Sequence, residues 1–218
     1  MNIETLGACA LAYNFFSRIF LHAPDPLLLD LLARERLFEN WPMQPETPEG
    51  VSGLALLADF FRSYTDAALP ALSADYTALY ADPGQAIPLW ESVWTTRDRL
   101  LFDGPMFDVR AAYAEYGLVS PRAAHEPDDH IGLELSFLGG VLNEAAGAAD
   151  RQNPEEALSH LDVARNFLNS HLTRWAGKFL QETTARAATP LYGGAALLCH
   201  DTLFQTGALL QADSAHSL

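Results

Sequence analysis

The chain is short of the residues that most function classes need. It has two cysteines, Cys9 and Cys199, too few for a cysteine-rich zinc or iron–sulfur site and far from a secreted disulfide scaffold. Basic charge is scarce: 13 Lys and Arg stand against 28 Asp and Glu, a formal net charge of −15. Such a surface repels nucleic acid and anionic lipid and attracts a cationic partner. Strict polar/apolar alternation is rare and β-branched residues never form a run, which removes the usual strand signals. No Gly-x-Ser-x-Gly, dinucleotide-binding glycine motif or P-loop occurs; Gly193-Gly194 falls in a helical pattern and reads as close packing. A basic n-region is missing as well. Glu4 precedes the apolar start, and Ile3–Leu21 carries Glu4, Asn14 and Arg18, so it reads as a buried amphipathic helix rather than a secretory signal or a membrane span. Cytoplasmic localisation is the expectation.

What is present is apolar and helical. Hydrophobic residues make up 49% of 218, enough for one sizeable core. The apolar spacing predicts an all-α fold, a single globular domain over residues 1–212 with about nine to eleven helices and a frayed tail at 213–218. Helices are expected over Ile3–Leu21, Pro26–Arg36, Ser52–Ala68, Ala71–Tyr80, a short piece near Trp94, Gly104–Tyr116, Asp129–Ala148, Pro154–Leu168, His171–Ala187 and Pro190–Leu210. The stretch Trp41–Gly50 is proline-rich and reads as a loop. Gly117 is placed as a helix stop, and Asp128 or Asp129 as the start of the helix that follows.

Two segments carry the chemistry. His125-Glu-Pro-Asp-Asp-His-Ile-Gly-Leu-Glu134 puts His130 and Glu134 four residues apart, on one helical face, with Asp128 and Asp129 at the helix start. From Ala123 to Asp150 six acidic residues occur and no Lys or Arg. Carboxylates in such a patch suit guanidinium groups, which they grip as a bidentate fork. Ile87-Pro-Leu-Trp-Glu-Ser-Val-Trp94 is the second segment; Trp90 and Trp94 beside a proline are suited to line an apolar groove, and Glu91 lies between them. The bland alternatives are a capped helix start and two tryptophans that pin a loop to the core. His160, His171 and His200 read as structural or exposed, and both cysteines as buried and inert.

At these residues the chain resembles the TorD/DmsD/NarJ family of redox-enzyme maturation chaperones, and its TorD/DmsD branch most. Glu126-Pro-Asp-Asp-His-Ile-Gly-Leu-Glu134 fits that family's Glu-Pro-x-Asp-His signature. Pro88-Leu-Trp-Glu-Ser-Val-Trp94, Leu79-Tyr80, His171-Leu-x-x-Trp175 and Pro190-Leu-Tyr192 keep the family's order and spacing. The resemblance implies a helical chaperone with no cofactor and no catalysed reaction. It binds the twin-arginine leader and apo form of a molybdopterin oxidoreductase, assists cofactor insertion and delays export. The leader-binding pair corresponds to Asp129 and His130, with Glu126 upstream, and the hydrophobic wall to Leu89, Trp90 and Trp94, with Tyr80 near the same groove. Glu91 and Glu134 join the set on charge. Weak guanine-nucleotide binding and either a monomer or a domain-swapped dimer are further implications. Asp82-Pro83 stands where close relatives have Gly-Pro, so the groove is expected to differ in shape. Two other classes compete: a metal-dependent helical hydrolase using Glu126, Asp129, His130 and Glu134, and a structural or regulatory helical module.

Overall fold

Caps and prolines set most element boundaries in the computed structural model, which describes residues 2–101, 103–118 and 127–215. Helix α1 (Ile3–Leu21) starts at Asn2, whose side chain accepts from the Thr5 N–H. Helix α2 (Pro26–Arg34) starts at Asp25. It stops two residues before its expected end because Arg36 takes a φ of 50° and Leu37 N turns back to Leu32 O, the left-handed closure of a helix C-terminus. Helix α3 (Pro48–Arg62) begins four residues earlier than expected. Thr47 caps it by accepting from Gly50 N, and Pro48 sits in the first turn, where its missing N–H is not needed. Pro70 likewise lies in the first turn of α4 (Leu69–Tyr76) rather than breaking it, and α4 runs on into a π-helical turn, Thr77–Ala81.

The remaining helices are α5 (Glu91–Thr95), α6 (Gly104–Glu115), α7 (Ile131–Asp150), α8 (Pro154–Phe167), α9 (Thr173–Arg186) and α10 (Pro190–Ala215). Gly117, at φ 65°, follows α6 as the expected stop. The helices α8 and α9 were expected as separate rods, but a second π-helical turn, Leu168–Leu172, joins them without a break. Helix α10 continues five residues past Leu210, so the backbone to Ala215 is helical where fraying was expected. The described residues thus form one all-α domain of ten helical segments, nine when α8 and α9 count as one rod. No sheet forms among them, only an isolated antiparallel bridge between Trp90 and His130.

Helix α1 lies along α7 and α3 along α10, with α8 against α7 and α9 against α10. The α3–α10 contact needs glycine on both sides. A Cβ on Gly53 would lie 2.8 Å from the Gly194 carbonyl oxygen, and one on Gly194 2.9 Å from Leu57 Cγ. The core is built from Tyr13, Phe16 and Phe20 of α1, Leu135, Leu138 and Leu142 of α7, and Trp175 and Phe179 of α9, all buried. Each such side chain contributes about 1.5–3 kcal/mol by leaving water. Cys9 and Cys199 are free and buried, and burial pushes both thiols up, which keeps them unreactive. Among the described residues no helix is long and apolar enough to cross a membrane.

Candidate functional site

The two chemistry-bearing segments meet. Residues 89–91 run antiparallel to 129–131. Glu91 N donates to Asp129 O at 2.9 Å, and Ile131 N to Leu89 O at 2.7 Å. The helix cap is therefore not the expected one. His130, not Asp128 or Asp129, caps α7: its Nδ1 accepts from Gly132 N at 3.0 Å. Asp129 turns to the other segment, where its Oδ2 accepts from Ser92 N at 2.8 Å, in the first turn of α5. One acidic residue thus ties the start of a helix 37 positions away, something no local pattern reveals. Asp128 takes the Arg110 guanidinium on Oδ2, and its backbone oxygen accepts from Tyr113 Oη at 3.1 Å.

Trp90 is half-buried, edge-on to the His130 ring, with centroids 5.9 Å apart and planes at 83°. Trp94 is also half-buried, and its Nε1 donates to Pro88 O at 2.8 Å. Leu89 is buried. These three and His130 form one neighbourhood. Tyr80 does not face it. Its ring packs among Phe20, Tyr76, Phe179 and Tyr192, and its hydroxyl donates to Thr183 Oγ1 at 3.3 Å. Glu126 lies outside the described residues.

Beneath the tryptophans sit three carboxyl groups, Glu91, Asp129 and Glu134, each 0% exposed. This differs from a solvated acidic patch. Glu91 Oε2 lies 2.8 Å from His171 Nδ1, and its Oε1 lies 3.9 Å from Arg174 Nη1. Glu134 Oε2 accepts from Trp175 Nε1 at 3.4 Å. Glu91 Oε1, Asp129 Oδ1 and Glu134 Oε1 have no hydrogen-bond partner among the described residues. Burial holds the Glu134 carboxyl well above the usual carboxylate range, the charges of Glu91 and Asp129 push it the same way, and the Trp175 bond opposes them. Glu134 thus stays protonated to a higher pH than a solvent-exposed glutamate.

Sequence reasoning passed over His171 as a structural histidine. It is delivered by the π-helical turn Leu168–Leu172, and such turns often mark functional positions. The available hint was the His171-Leu-x-x-Trp175 match, whose two members prove to contact Glu91 and Glu134. Among the described residues no group of three His, Cys, Asp or Glu side chains is arranged to hold a metal ion.

The profile of the family described as "Nitrate reductase delta subunit" matches residues 44–181. The chain belongs to this family, the TorD/DmsD/NarJ chaperones. Members are chaperones and not enzymes. The match spans the whole Trp90–His130 neighbourhood and the π-helical turn below it. Among similar proteins, "Chaperone protein TorD" of Photobacterium profundum is 31% identical over 145 residues, 66% of this chain and 65% of that protein. "Tat proofreading chaperone DmsD" of Salmonella typhimurium is 28% identical over 202 residues, 92% of this chain and 90% of that protein. "Chaperone protein YcdY" of Escherichia coli is 28% identical over 193 residues, covering 87% and 88%.

Proposed function

We propose that this chain is a cytoplasmic chaperone that binds the twin-arginine leader and the apo form of a molybdopterin oxidoreductase, and holds it from export until its cofactor is in place. The observation that carries this reading is the backbone bridge between Leu89–Glu91 and Asp129–Ile131. It joins the two segments that fit the family pattern into one neighbourhood, apolar at Trp90 and acidic below.

A leader of this kind is basic next to an apolar stretch. The acidic chain steers it, and its arginines meet the half-buried Trp90 and Trp94 first, above the buried His130. Asp129 is fully covered, so direct pairing with a guanidinium requires the bridge to open. Breaking those hydrogen bonds lowers affinity and leaves the leader releasable to the translocase. Asp129, His130, Leu89, Trp90 and Trp94 are the leader-binding residues in this reading, with the buried acids Glu91 and Glu134 beneath them.

Calorimetric titration with leaders of molybdoenzymes, each paired with its Arg-Arg→Lys-Lys version, tests it. Saturable one-to-one binding that weakens with the Lys-Lys peptide is expected, because lysine lacks the planar fork. Equal binding of both versions would leave a helical interaction module without leader specificity.

A further inference from the structure

Away from the Trp90–His130 neighbourhood, a cavity of about 460 Å³ opens between the start of α3, the second half of α9 and α10. Its walls are Leu180, Ala185, Ala196 and Leu197, with Glu49 and His200 among the lining. Leu180 and Ala196 are buried, Leu197 is half-buried and Ala185 is exposed, so an apolar floor is open to solvent at its rim. A cavity of this size and composition, with a few polar groups at its edge, has the character of a binding site.

Charge around it selects the occupant. Glu49 lines it, Glu46 is exposed on the segment leading into α3, and Glu182 is exposed three residues before Ala185. Lys178 is the nearby exposed cation. Arg186 is turned away, donating to the backbone oxygens of Ala78 and Gln85. The surroundings therefore favour an apolar segment with a basic flank.

The position selects it further. Arg174, Lys178, Gln181 and Ala185 follow one another at helical spacing along an exposed stripe of α9. Arg174 stands at one end, 3.9 Å from Glu91, the neighbour of Trp90. Gln181, at the edge of the cavity, is seven residues further on, about 10 Å along the helix axis. An extended peptide covers that distance with roughly three residues, and a helical one with about seven.

We infer that this cavity receives the apolar run of the leader, while the arginines are held at the Trp90–His130 end of α9. The inference rests on the leader-binding reading above. It adds to the apolar contact of the tryptophans a separate apolar site, beside α9. Ala185 and Leu197 then set affinity for the apolar run and leave arginine recognition untouched.

Calorimetry on the full-length chain decides it, with two peptides: a complete leader, and one ending just after the arginines. Ala185→Trp fills the cavity from an exposed position, and Leu197→Ala trims its wall. The complete leader should bind Ala185→Trp about tenfold more weakly and Leu197→Ala roughly threefold more weakly than wild type. The truncated peptide should bind all three chains alike. Unchanged affinity of the complete leader for both variants, with unchanged thermal midpoints, would overturn the cavity assignment and leave leader binding standing. An equal loss for both peptides would overturn it too, because the effect would then not involve the apolar run. If wild type binds neither peptide, the leader reading itself falls and takes this occupant with it.

Discussion

Asp75 and Asp129 are both buried carboxylates, at 4% and 0% exposure, yet their surroundings differ. Asp75 is enclosed by donors. It accepts from Ala188 N at 3.0 Å, Thr189 N at 2.7 Å and Thr189 Oγ1 at 2.6 Å, and so pins the turn between α9 and α10. Asp201 does the same for the segment before α3, accepting from Glu46 N, Thr47 N and Gln205 Nε2. At Asp129, Glu91 and Glu134 each carboxyl group keeps an oxygen without a hydrogen-bond partner among the described residues. A buried acid with every oxygen bonded stabilises a fold. A group of buried acids with oxygens to spare costs stability instead. Burial alone therefore does not tell these two surroundings apart; the count of donors does.

The sharpest way to break this contrast is to remove one member of each kind. Asp75→Ala strands two backbone N–H groups and a hydroxyl, and should cost about 2–4 kcal/mol in urea unfolding. Asp129→Asn keeps an oxygen that can accept from Ser92 N and should cost at most about 1 kcal/mol. Equal losses would show the two carboxylates to be structural alike.

Glu134 sharpens the same contrast through pH. Its folded carboxyl lies well above 4.5. Below that value both folded and unfolded chains are protonated, and the group is neutral to stability. As pH rises past 4.5 the unfolded chain ionises first, so wild-type stability falls until the folded carboxyl also ionises. Glu134→Gln removes this slope. Urea midpoints of the two chains should draw apart, in favour of the variant, between pH 4.5 and neutrality. Parallel profiles would mean that Glu134 is ionised inside the fold.

The smallest stability effect is expected at Trp90. It is half-buried and packs against the surface of the neighbourhood, so Trp90→Ala should cost roughly 1 kcal/mol or less. Leader binding should nevertheless weaken, with the salt dependence of affinity unchanged, since the lost contact is apolar. A collapse of the salt slope in calorimetry would show that Trp90 organises the charges rather than the apolar surface. Replacing Asp129 and His130 together is a less clean experiment than their sequence suggests, because they supply side-chain acceptors to the first turns of α5 and α7.

Much of this was readable in one dimension. Helical spacing and the lack of strand patterns indicate the all-α class, and of the Gly193-Gly194 pair it is Gly194 that packs closely. Element ends were less legible where proline was taken as a break. Pro48 and Pro70 sit in first turns, and only a cap such as Thr47 distinguishes that from a loop. The link from α8 to α9 is not legible in the sequence, because a π-helical turn carries no residue type that marks it.

The residue types of the site, acids and a histidine beside two tryptophans, belong to the sequence, as does the net charge that favours a cationic partner. Helical class also follows from it, because apolar spacing is a local property that sets which face must leave water. Tertiary structure alone decided that Asp129 reaches α5 rather than its own helix and that Tyr80 serves the aromatic core. It also decided that His171 meets Glu91 across 80 residues. Those outcomes depend on how helix pairs cross and on which donors a buried oxygen finds, and chain order does not encode such distances one residue at a time.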